Sequence, residues 1–519
     1  MVHNRDSQTT KYFDFMCSAP QNYRSSKEST ASPLGNVGIS KVIHELFELH
    51  VTSGSLPWKS YFEPISTLLY TGFQVDPELL DLARRSNTSK SLVLQTMLSH
   101  NHYIAPVQVH SFFESLSDMN NPRQFYEIFA PQIDAAMASA GFNWTFDSEL
   151  SSYQSKPISL KPVQIAGFQT LSFPSPYIGG MYLISILNNL NTMFETKPLN
   201  WKKLAHNDPS ETAKYLNRIA SLSRHAKILA STSGDPKDTQ IRDQVERNDA
   251  NLLNSYYNNI IINQISDENI AGPDLQSGFP ANVMSEKENL GDGFVLATDS
   301  DSLTVLTSLY MGKPFGAIQD LGTTGQLLNS GLSLFSENVS TGNLNVIAPG
   351  RRPLVPSGPI YLHSKTKKCG IRVGVGSSGG FWGLFDALQV ITGALYFLEG
   401  SACTDQESTP PVPTLRITGD SSPSKPFGDT TQASNVNCLP AKQALASARV
   451  HLTSMQNASQ QVEATMSSSL TQALVSLNWS PAQVSSKNWL GRVAIAGWNG
   501  YNLIAYDDTR NPLNPMTTF

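Results

Sequence analysis

The spacing of apolar residues divides the chain into a helix-rich first part and a strand-rich second part. Up to about residue 290, apolar side chains recur with a period of about 3.6 residues, which places them on one face of a helix. This spacing predicts helices at residues 42–49, 62–69, 125–140, 180–190 and 211–230. From residue 291 onwards the pattern changes to alternation or to short apolar runs, which are typical of strands.

The second part is predicted to contain several strands and one buried helix. Strands are predicted at residues 294–297, 303–310, 345–347, 359–362, 370–375, 491–497 and 501–506, and a helix at residues 381–398. Residues 404–437 are rich in Ser, Thr and Pro and have no apolar period, which indicates a loose insert. We therefore predict an α+β chain with a helix-rich part, 1–290, and a sheet-rich part, 291–519.

Composition and charge exclude several classes of protein. Of the 519 residues, 40% are hydrophobic and 15% are charged, with a net charge of −5, which indicates a folded chain. No run of Lys and Arg is long enough for the phosphate contacts of nucleic-acid binding, so we expect no nucleic-acid partner. No uncharged apolar stretch reaches about 18 residues, and the first residues do not resemble a signal peptide. We therefore expect no transmembrane segment and no signal peptide in this sequence.

Cysteines and glycosylation sequons bear on the compartment. The four cysteines are too few for a disulfide scaffold, although Cys403 and Cys438 could form one bridge. There are five Asn-x-Ser/Thr sequons, of which that at Asn478 is weakened by Pro481 after it. The other four are glycosylation candidates: Asn87, Asn143, Asn338 and Asn457. They favour a lumenal or secreted protein, but a sequence rich in Asn and Ser also produces such triplets by chance.

A glycine-rich motif precedes the predicted buried helix. Residues 374–379 spell G-x-G-x-x-G after a strand, as in a dinucleotide phosphate loop, and Glu399 follows twenty residues after Gly379. The helix continues into Glu399, however, so no second strand is left to present that carboxylate to a ribose. A dinucleotide site is therefore disfavoured.

The same motif admits two further interpretations. Residues 376–380 fit G-x-S-x-G, the elbow of a serine nucleophile, and Asp420 or Asp429 followed by His451 supplies the order of a hydrolase triad. Those acids lie in the loose insert, and the helical first part lacks the alternating strand-helix units of that fold. The other interpretation is a Gly/Ser turn that lets strand and helix pack closely.

Three histidines are candidates for a metal site. His100, His102 and His110 are close in sequence, but no carboxylate or cysteine accompanies them at the spacing of metal ligands. We therefore predict loop histidines, no metal site and no cofactor.

The order of many short motifs resembles the gamma-glutamyltransferase (glutathione hydrolase) family over nearly the whole chain. The motifs lie at residues 32–35 (SPLG), 56–58 (LPW), 125–126 (FY), 146–153 (FDSELSSY), 172–176 (SFPSP), 234–236 (GDP), 314–316 (PFG), 325–329 (GQLLN), 349–354 (PGRRPL), 375–380 (VGSSGG) and 507–510 (DDTR). No single motif is decisive, but their number and order are. The opening of the chain, including residues 3–5 and 13–20, resembles most the divergent vertebrate type-seven branch of this family.

The resemblance implies a fold and a chemistry. The fold is a four-layer αββα sandwich of the N-terminal-nucleophile hydrolase type, in which residues 1–290 and 291–519 would correspond to a large and a small subunit of one interdigitated domain. In the family, a threonine hydroxyl attacks the preceding peptide carbonyl, and the freed amine then serves as the base for attack on a gamma-glutamyl amide. The resemblance also implies an extracellular or membrane-associated protein, and a chain shortened at its N-terminus by an anchor and a strand region.

Position by position, the resemblance implies that the catalytic groups are missing. The nucleophile corresponds to Gly291, which has no hydroxyl, and the arginine for the substrate carboxylate corresponds to Met16 and Cys17. The other substrate-binding positions carry Gly312, Gly331, Leu334, Val355 and Pro356. The pair whose amides would form the oxyanion hole, Gly379 and Gly380, is retained.

Another threonine cannot easily replace the missing nucleophile. Thr298 is the nearest, but it lies about 20 Å along the strand from Gly291. We therefore predict a catalytically inactive relative with an electrically neutral pocket and a binding or regulatory role, whose partner could be a protein such as a paralogue. The alternative is an active glutathione hydrolase, which requires an Arg and an Asp or Glu converging on a threonine near residue 291.

Overall fold

The computed structural model describes residues 1–23, 33–86, 88–100, 102–142, 144, 146–165, 168–200, 203–204, 207–267, 291–299, 303–321, 326–336, 342–364, 371–398, 444–452, 460–485, 491–498, 503–508 and 510. The α-helices are α1 (Val42–Ser53), α2 (Phe62–Thr71), α3 (Pro77–Arg85), α4 (Leu92–His100), α5 (Val107–Ser117), α6 (Pro122–Ser139), α7 (Phe146–Ser151), α8 (Ile178–Thr196), α9 (Pro209–Ser231), α10 (Arg242–Leu252), α11 (Ser255–Gln264), α12 (Gly380–Leu398) and α13 (Ser468–Ser476). The β-strands are β1 (Val2–Asn4), β2 (Thr9–Tyr12), β3 (Phe73–Gln74), β4 (His102–Tyr103), β5 (Ile158–Ser159), β6 (Val163–Ile165), β7 (Phe168–Ser172), β8 (Asp292–Thr298), β9 (Leu303–Tyr310), β10 (Asp320–Leu321), β11 (Gln326–Leu327), β12 (Ile360–His363), β13 (Arg372–Ser378), β14 (Val450–Leu452), β15 (Gln460–Glu463), β16 (Ala482–Val484), β17 (Arg492–Trp498) and β18 (Leu503–Tyr506).

Two antiparallel sheets form the centre of the molecule. The first has the strand order β5-β2-β1-β9-β8, and the second has the order β18-β17-β13-β12-β7-β6. Each sheet therefore combines strands from before residue 290 with strands from after it. This mixed helix and sheet content confirms the predicted α+β class.

The predicted elements are recovered with one exception. The predicted helices overlap α1, α2, α6, α8, α9 and α12, and six of the seven predicted strands overlap β8, β9, β12, β13, β17 and β18. The strand predicted at residues 345–347 is wrong, because this segment is irregular. The Asn345 side chain bridges neighbouring loops instead: its Nδ2 donates to the Leu334 carbonyl and its Oδ1 accepts from the Leu354 amide.

The two sheets pack face to face through glycines in β13. A Cβ atom added to Gly374 would lie 2.8 Å from a methyl group of Leu306, and one added to Gly376 would lie 2.5 Å from the Phe294 ring. Leu306 and Phe294 belong to the opposing sheet, so only a strand without side chains at these two points permits this separation. The first glycines of the G-x-G-x-x-G motif are therefore packing positions within a strand, and the dinucleotide interpretation is wrong.

Helices cover the outer face of the six-stranded sheet. The largest hydrophobic cluster joins α8, α9 and α12 to that sheet, with Ile186, Leu222 and Val390 packed in the same core as Val373 and Ile495.

Among the helices in the described part of the chain, none is both long and apolar enough to span a membrane.

A second group of helices packs in a separate hydrophobic cluster. Helices α5, α6 and α7 form a hydrophobic cluster with Phe112, Phe129 and Phe146, and this cluster also contains Leu328 and Leu332 from the second part of the chain. The helical region is thereby attached to the loops that follow β9. A cavity lies where these loops, the helices and the first residues of β8 meet.

Candidate functional site

The retained glycine pair forms the turn between β13 and α12. Gly379 and Gly380 have φ angles of +100° and +60°, which side chains larger than hydrogen rarely adopt. The amide of Gly379 donates a hydrogen bond to Oδ1 of Asp292, with an N–O distance of 3.1 Å. A carboxylate thus lies against the backbone amide that the family resemblance assigns to an oxyanion hole.

Strand alternation directs Asp292 towards the glycine pair. Asp292 begins β8 and points inward with Phe294 and Leu296, whereas Gly293 and Val295 face outward and are exposed. The family resemblance assigned the nucleophile position to Gly291, one residue earlier. The alternation of β8 was the signal that could have identified Asp292.

Gly291 itself has no space for a side chain. Its φ angle is +55°, and a Cβ atom there would lie 2.4 Å from the carbonyl oxygen of Lys313. A threonine at residue 291 would therefore require a different backbone path.

The Asp292 carboxyl is in an unfavourable environment for a negative charge. Burial raises the pKa of Asp292, and the hydrogen bond from the Gly379 amide opposes that rise. Its other oxygen, Oδ2, is buried and has no hydrogen-bond partner among the described residues. Desolvation outweighs the amide, so protonation of this carboxyl is easier than that of an exposed aspartate.

Asp292 and Gly379 line a cavity of about 910 Å³. Its described lining is mostly apolar and aromatic, with three charged residues, Asp76, Asp292 and Arg492. The expected neutral pocket is therefore incorrect. Among the same lining residues there is no threonine, and Arg492 lies on β17 opposite Ser378 of β13.

Three positions that the resemblance assigns to substrate-binding groups are part of one hydrophobic core. Met16, Leu334 and Val355 are 0%, 2% and 0% exposed, and they belong to the same cluster as Tyr177 and Leu306. Pro356 is also buried. Polar side chains at these positions would lose their hydration among apolar neighbours, which is unfavourable. The whole region is therefore packed as a hydrophobic core and not as a substrate-binding surface.

Two further assigned positions have no space for a side chain. A Cβ atom on Gly331 would lie 2.2 Å from Cys17 Sγ, and one on Gly312 would lie 2.3 Å from the Ser330 carbonyl oxygen. Cys17 is buried, its Sγ is 3.4 Å from the Tyr310 hydroxyl, and burial raises the pKa of its thiol. The cysteine side chain therefore occupies space that a longer residue at 331 would need.

The proposed serine triad is not assembled by the described residues. Ser378 lines the cavity, but His451 is buried with its ring stacked on Trp382 at a centroid distance of 3.7 Å. Burial lowers the pKa of His451, and Lys227 adds to this effect. Asp420 and Asp429, like Glu399 of the dinucleotide interpretation, lie outside the described residues.

Other candidates make contacts elsewhere in the chain or lie outside the described residues. Thr298 ends β8, and its hydroxyl is 2.9 Å from that of Thr304. His102 Nε2 is 3.3 Å from the Thr71 carbonyl oxygen, and the His110 ring packs on Tyr70 at 4.0 Å. Several candidates lie outside the described residues: the sequons at Asn87, Asn143, Asn338 and Asn457, and Cys403 and Cys438. His100 ends α4, His102 lies on β4 and His110 lies in α5, so the expectation of loop histidines is wrong.

Two motifs that carry the family resemblance meet in a buried ion pair. Arg352 Nε is 3.1 Å from Asp235 Oδ1, and Arg352 Nη1 is 2.6 Å from Asp14 Oδ2. All three side chains are less than 7% exposed. Although burial alone raises the pKa of Asp14, Arg352 and Lys237 lower it to about 2. This network joins the G-D-P segment to the R-P-L segment.

A comparison with family profiles gives one match over almost the whole chain. The family described as Gamma-glutamyltranspeptidase matches residues 1–517. In fold, the structure is similar to the crystal structure of cephalosporin acylase from Bacillus halodurans. The TM-score is 0.70 at 16% sequence identity, over 96% of this chain and 83% of that one.

Individual relatives agree with the family profile. The chain is 26% identical over 416 residues to glutathione hydrolase 7 of Rattus norvegicus, covering 76% of this chain and 59% of that protein. It is 24% identical over 364 residues to the glutathione hydrolase proenzyme of Escherichia coli strain K12, covering 66% of this chain and 58% of the other. The chain thus spans less than two thirds of the length of these relatives. The profile match over residues 1–517 shows that this chain belongs to the gamma-glutamyltranspeptidase family.

Proposed function

We propose that this chain is a catalytically inactive relative of the glutathione hydrolases that remains a single chain and acts by binding. The observation that carries the proposal is the contact between the Asp292 carboxylate and the Gly379 amide. An oxyanion hole must be open to receive the negative charge that develops during acyl transfer. Here a side chain of the protein accepts that hydrogen bond in advance.

The residues at the start of β8 also lack the chemistry for self-cleavage. Intramolecular cleavage needs a hydroxyl or thiol that attacks the preceding carbonyl, and residues 291–293 are Gly, Asp and Gly. A carboxylate is a poor nucleophile towards an amide, and its attack would form an unstable anhydride. Met16, Gly331 and Leu334 supply neither the cation nor the acceptor groups for a zwitterionic glutamyl substrate.

The proposal is tested by incubating the purified chain, separating it on a denaturing gel and reading its intact mass. We expect one species at 56.7 kDa plus any glycans, and no glutamate release from glutathione. Two fragments, with a new N-terminal Thr, Ser or Cys near residues 285–310, would instead support the alternative of an active glutathione hydrolase. Substitution of that residue by Ala would then have to abolish both cleavage and glutamate release.

We extend the proposal to the compartment and the partner. The family resemblance favours an extracellular or membrane-associated location, with a protein such as a paralogue as partner. The sequons at Asn87, Asn143, Asn338 and Asn457 provide a check, because only a chain that enters the secretory pathway is modified there. The protein is purified from cells that secrete glycoproteins, and its mass is compared before and after glycosidase treatment. A decrease in mass supports this location, and an unchanged mass argues against it.

A further inference from the structure

The walls of the cavity in front of Asp292 are mainly apolar. The lining includes Val37, Ile43 and Phe125 from the first part of the chain, and Tyr310, Met311 and Phe315 from the end of β9 and the loop that follows it. Its volume of about 910 Å³ is within the range of cavities that hold small molecules. The rim reaches solvent at Leu79 and Leu309, whose side chains are 38% and 41% exposed.

Each charged residue of the described lining already has a hydrogen bond within the protein. Asp292 Oδ1 accepts from the Gly379 amide, and Asp76 Oδ1 accepts from the Leu79 amide. Arg492 Nη1 donates to the Gly491 carbonyl. These partners are neutral backbone groups, so the lining keeps charges of both signs. A charged ligand of either sign would have to give up its hydration and would meet a like charge in a mainly apolar site, which is costly.

Neutral polar groups remain among the lining residues. The Asn329 side chain is already bonded to the backbone of Gly38 and Gly331. Ser40 and Ser308 contribute hydroxyl groups, of which that of Ser308 is 3.2 Å from Ser357 Oγ. Because a hydroxyl both donates and accepts, these two groups can bond to a hydroxyl or amide of a ligand without a change in charge. A ligand with one such group and an aromatic or aliphatic body would match both the apolar walls and these neutral contacts.

We propose that this cavity binds an uncharged, mainly apolar small molecule that carries a hydroxyl or amide group. The inference rests on the proposed absence of catalysis and names the class of ligand for the same site. It requires that a charge on the ligand weakens binding regardless of its sign.

Three compounds with the same apolar body test this requirement: 4-phenylbutan-1-ol, 4-phenylbutyrate and 4-phenylbutylamine. Each is titrated into the full chain at pH 7 and followed by calorimetry. We expect the alcohol to bind at least about tenfold more tightly than either ion, a difference of about 1.4 kcal/mol. Equal or tighter binding of one ion, or no binding of the alcohol, would overturn the proposal.

A pair of tryptophan variants locates the bound alcohol. Leu82→Trp on α3 adds bulk to the cavity lining, whereas Val475→Trp on α13 changes a side chain that is 51% exposed and is not among the lining residues. We expect the first variant to weaken alcohol binding by about tenfold or more and the second to leave it unchanged. If Leu82→Trp does not fold, Ile43→Trp replaces it. The titrations of the alcohol, the carboxylate and the amine into the unaltered chain still test the class of ligand. Unchanged binding in a folded Leu82→Trp or Ile43→Trp variant would contradict the proposed location.

Glutathione in the same titration separates the two proposals. Hydrolysis of glutathione would overturn the proposed function and the ligand class together. If glutathione is not hydrolysed and the alcohol does not bind, the chain is still inactive, and only the ligand class is wrong.

Discussion

Oδ1 of Asp292 accepts a hydrogen bond from the Gly379 amide over 3.1 Å. This contact joins the first residue of β8 to the turn that precedes the 19-residue helix α12. An acidic side chain at a helix N-terminus satisfies a free amide and interacts favourably with the helix dipole. Asp292 therefore stabilises the turn and occupies the amide that acyl-transfer chemistry would need.

Removal of the Asp292 carboxylate should reduce stability by the amount typical of a lost helix cap. We expect Asp292→Ala to lower the free energy of unfolding by about 1 kcal/mol, measured by chemical denaturation. Asp292→Asn, which keeps a carbonyl acceptor, should lose less. Because burial raises the pKa of Asp292, the native state binds this proton more tightly, and its stability contribution falls as pH rises above about 3.9. A stability of Asp292→Ala equal to that of the unaltered chain at about pH 4, where this contribution is still present, would argue against the capping role.

A hydroxyl at residue 292 alone should not create a glutathione hydrolase. Asp292→Thr introduces the nucleophile type of the family, but Met16, Leu334 and Val355 remain in a hydrophobic core without groups that bind the glutamyl portion. We expect no glutamate release above that of Asp292→Ala in a coupled assay. Measurable release from Asp292→Thr alone would show that substrate binding does not depend on the missing groups.

The close approach of Gly331 to Cys17 predicts a steric coupling. Gly331→Ala should destabilise the chain by about 1–3 kcal/mol, as expected for overpacking, since its Cβ would lie 2.2 Å from Cys17 Sγ. Combining it with Cys17→Ala should recover part of that loss in a double-mutant cycle. Gly293→Ala is the matched control, because a Cβ there has no atom within 4 Å. Additive effects of the 17 and 331 substitutions would contradict the coupling.

The buried pair of Arg352 and Asp235 should be important for stability. Asp235→Asn leaves Arg352 with a reduced counter-charge, and the loss of a buried partner typically costs about 3–5 kcal/mol, with Asp14 as the remaining acid. Thermal and chemical denaturation measure the loss. Asp6→Asn removes a carboxylate that is 67% exposed and paired with Arg5, and its effect should stay within about 0.5 kcal/mol. Similar losses in both variants would refute a special role for the buried pair.

His3 should make the chain sensitive to mild acid. It is 1% exposed, its Nδ1 is 2.9 Å from the Thr10 hydroxyl, and burial, followed by the nearby His363 and Arg372, lowers its pKa to about 3. The unfolded chain therefore binds this proton from about pH 6.5 downwards while the folded chain does not. The His3 contribution to stability is complete above that pH and declines as pH falls towards about 3.

A non-titrating ring at this position checks the pH dependence. His3→Phe should show a smaller loss of unfolding free energy between pH 7 and pH 4.5 than the unaltered chain, even if its stability at pH 7 is lower. His102→Phe, at a less buried histidine, serves as the comparison. A pH profile of His3→Phe parallel to that of the unaltered chain would exclude His3 as the source.

The sequence by itself determined the local elements and the family. Helices α8 and α9 and strands β8 and β9 follow from apolar spacing, because one face of each element must be buried. The N-terminal cap of α9 can also be recognised in the sequence. Asp208, which accepts a hydrogen bond from the Glu211 amide, is a favoured N-cap residue, and Pro209 is the first helical residue. The order of the short motifs indicated the family that the profile match over residues 1–517 shows.

Tertiary structure decided which residues meet at the site. Asp292 and Gly379 are 87 positions apart, and Cys17 and Gly331 are farther apart still, so no local pattern relates them. A strand alternates with a period of two, and an alignment that is uncertain by one residue cannot say whether Gly291 or Asp292 faces inward. Only the packing of β8 against β13 places a carboxylate on the glycine pair. Met16, Leu334 and Val355 also meet in one apolar core only in the folded chain. Neighbours in space, and not in sequence, determine whether the surroundings of each side chain are apolar or polar.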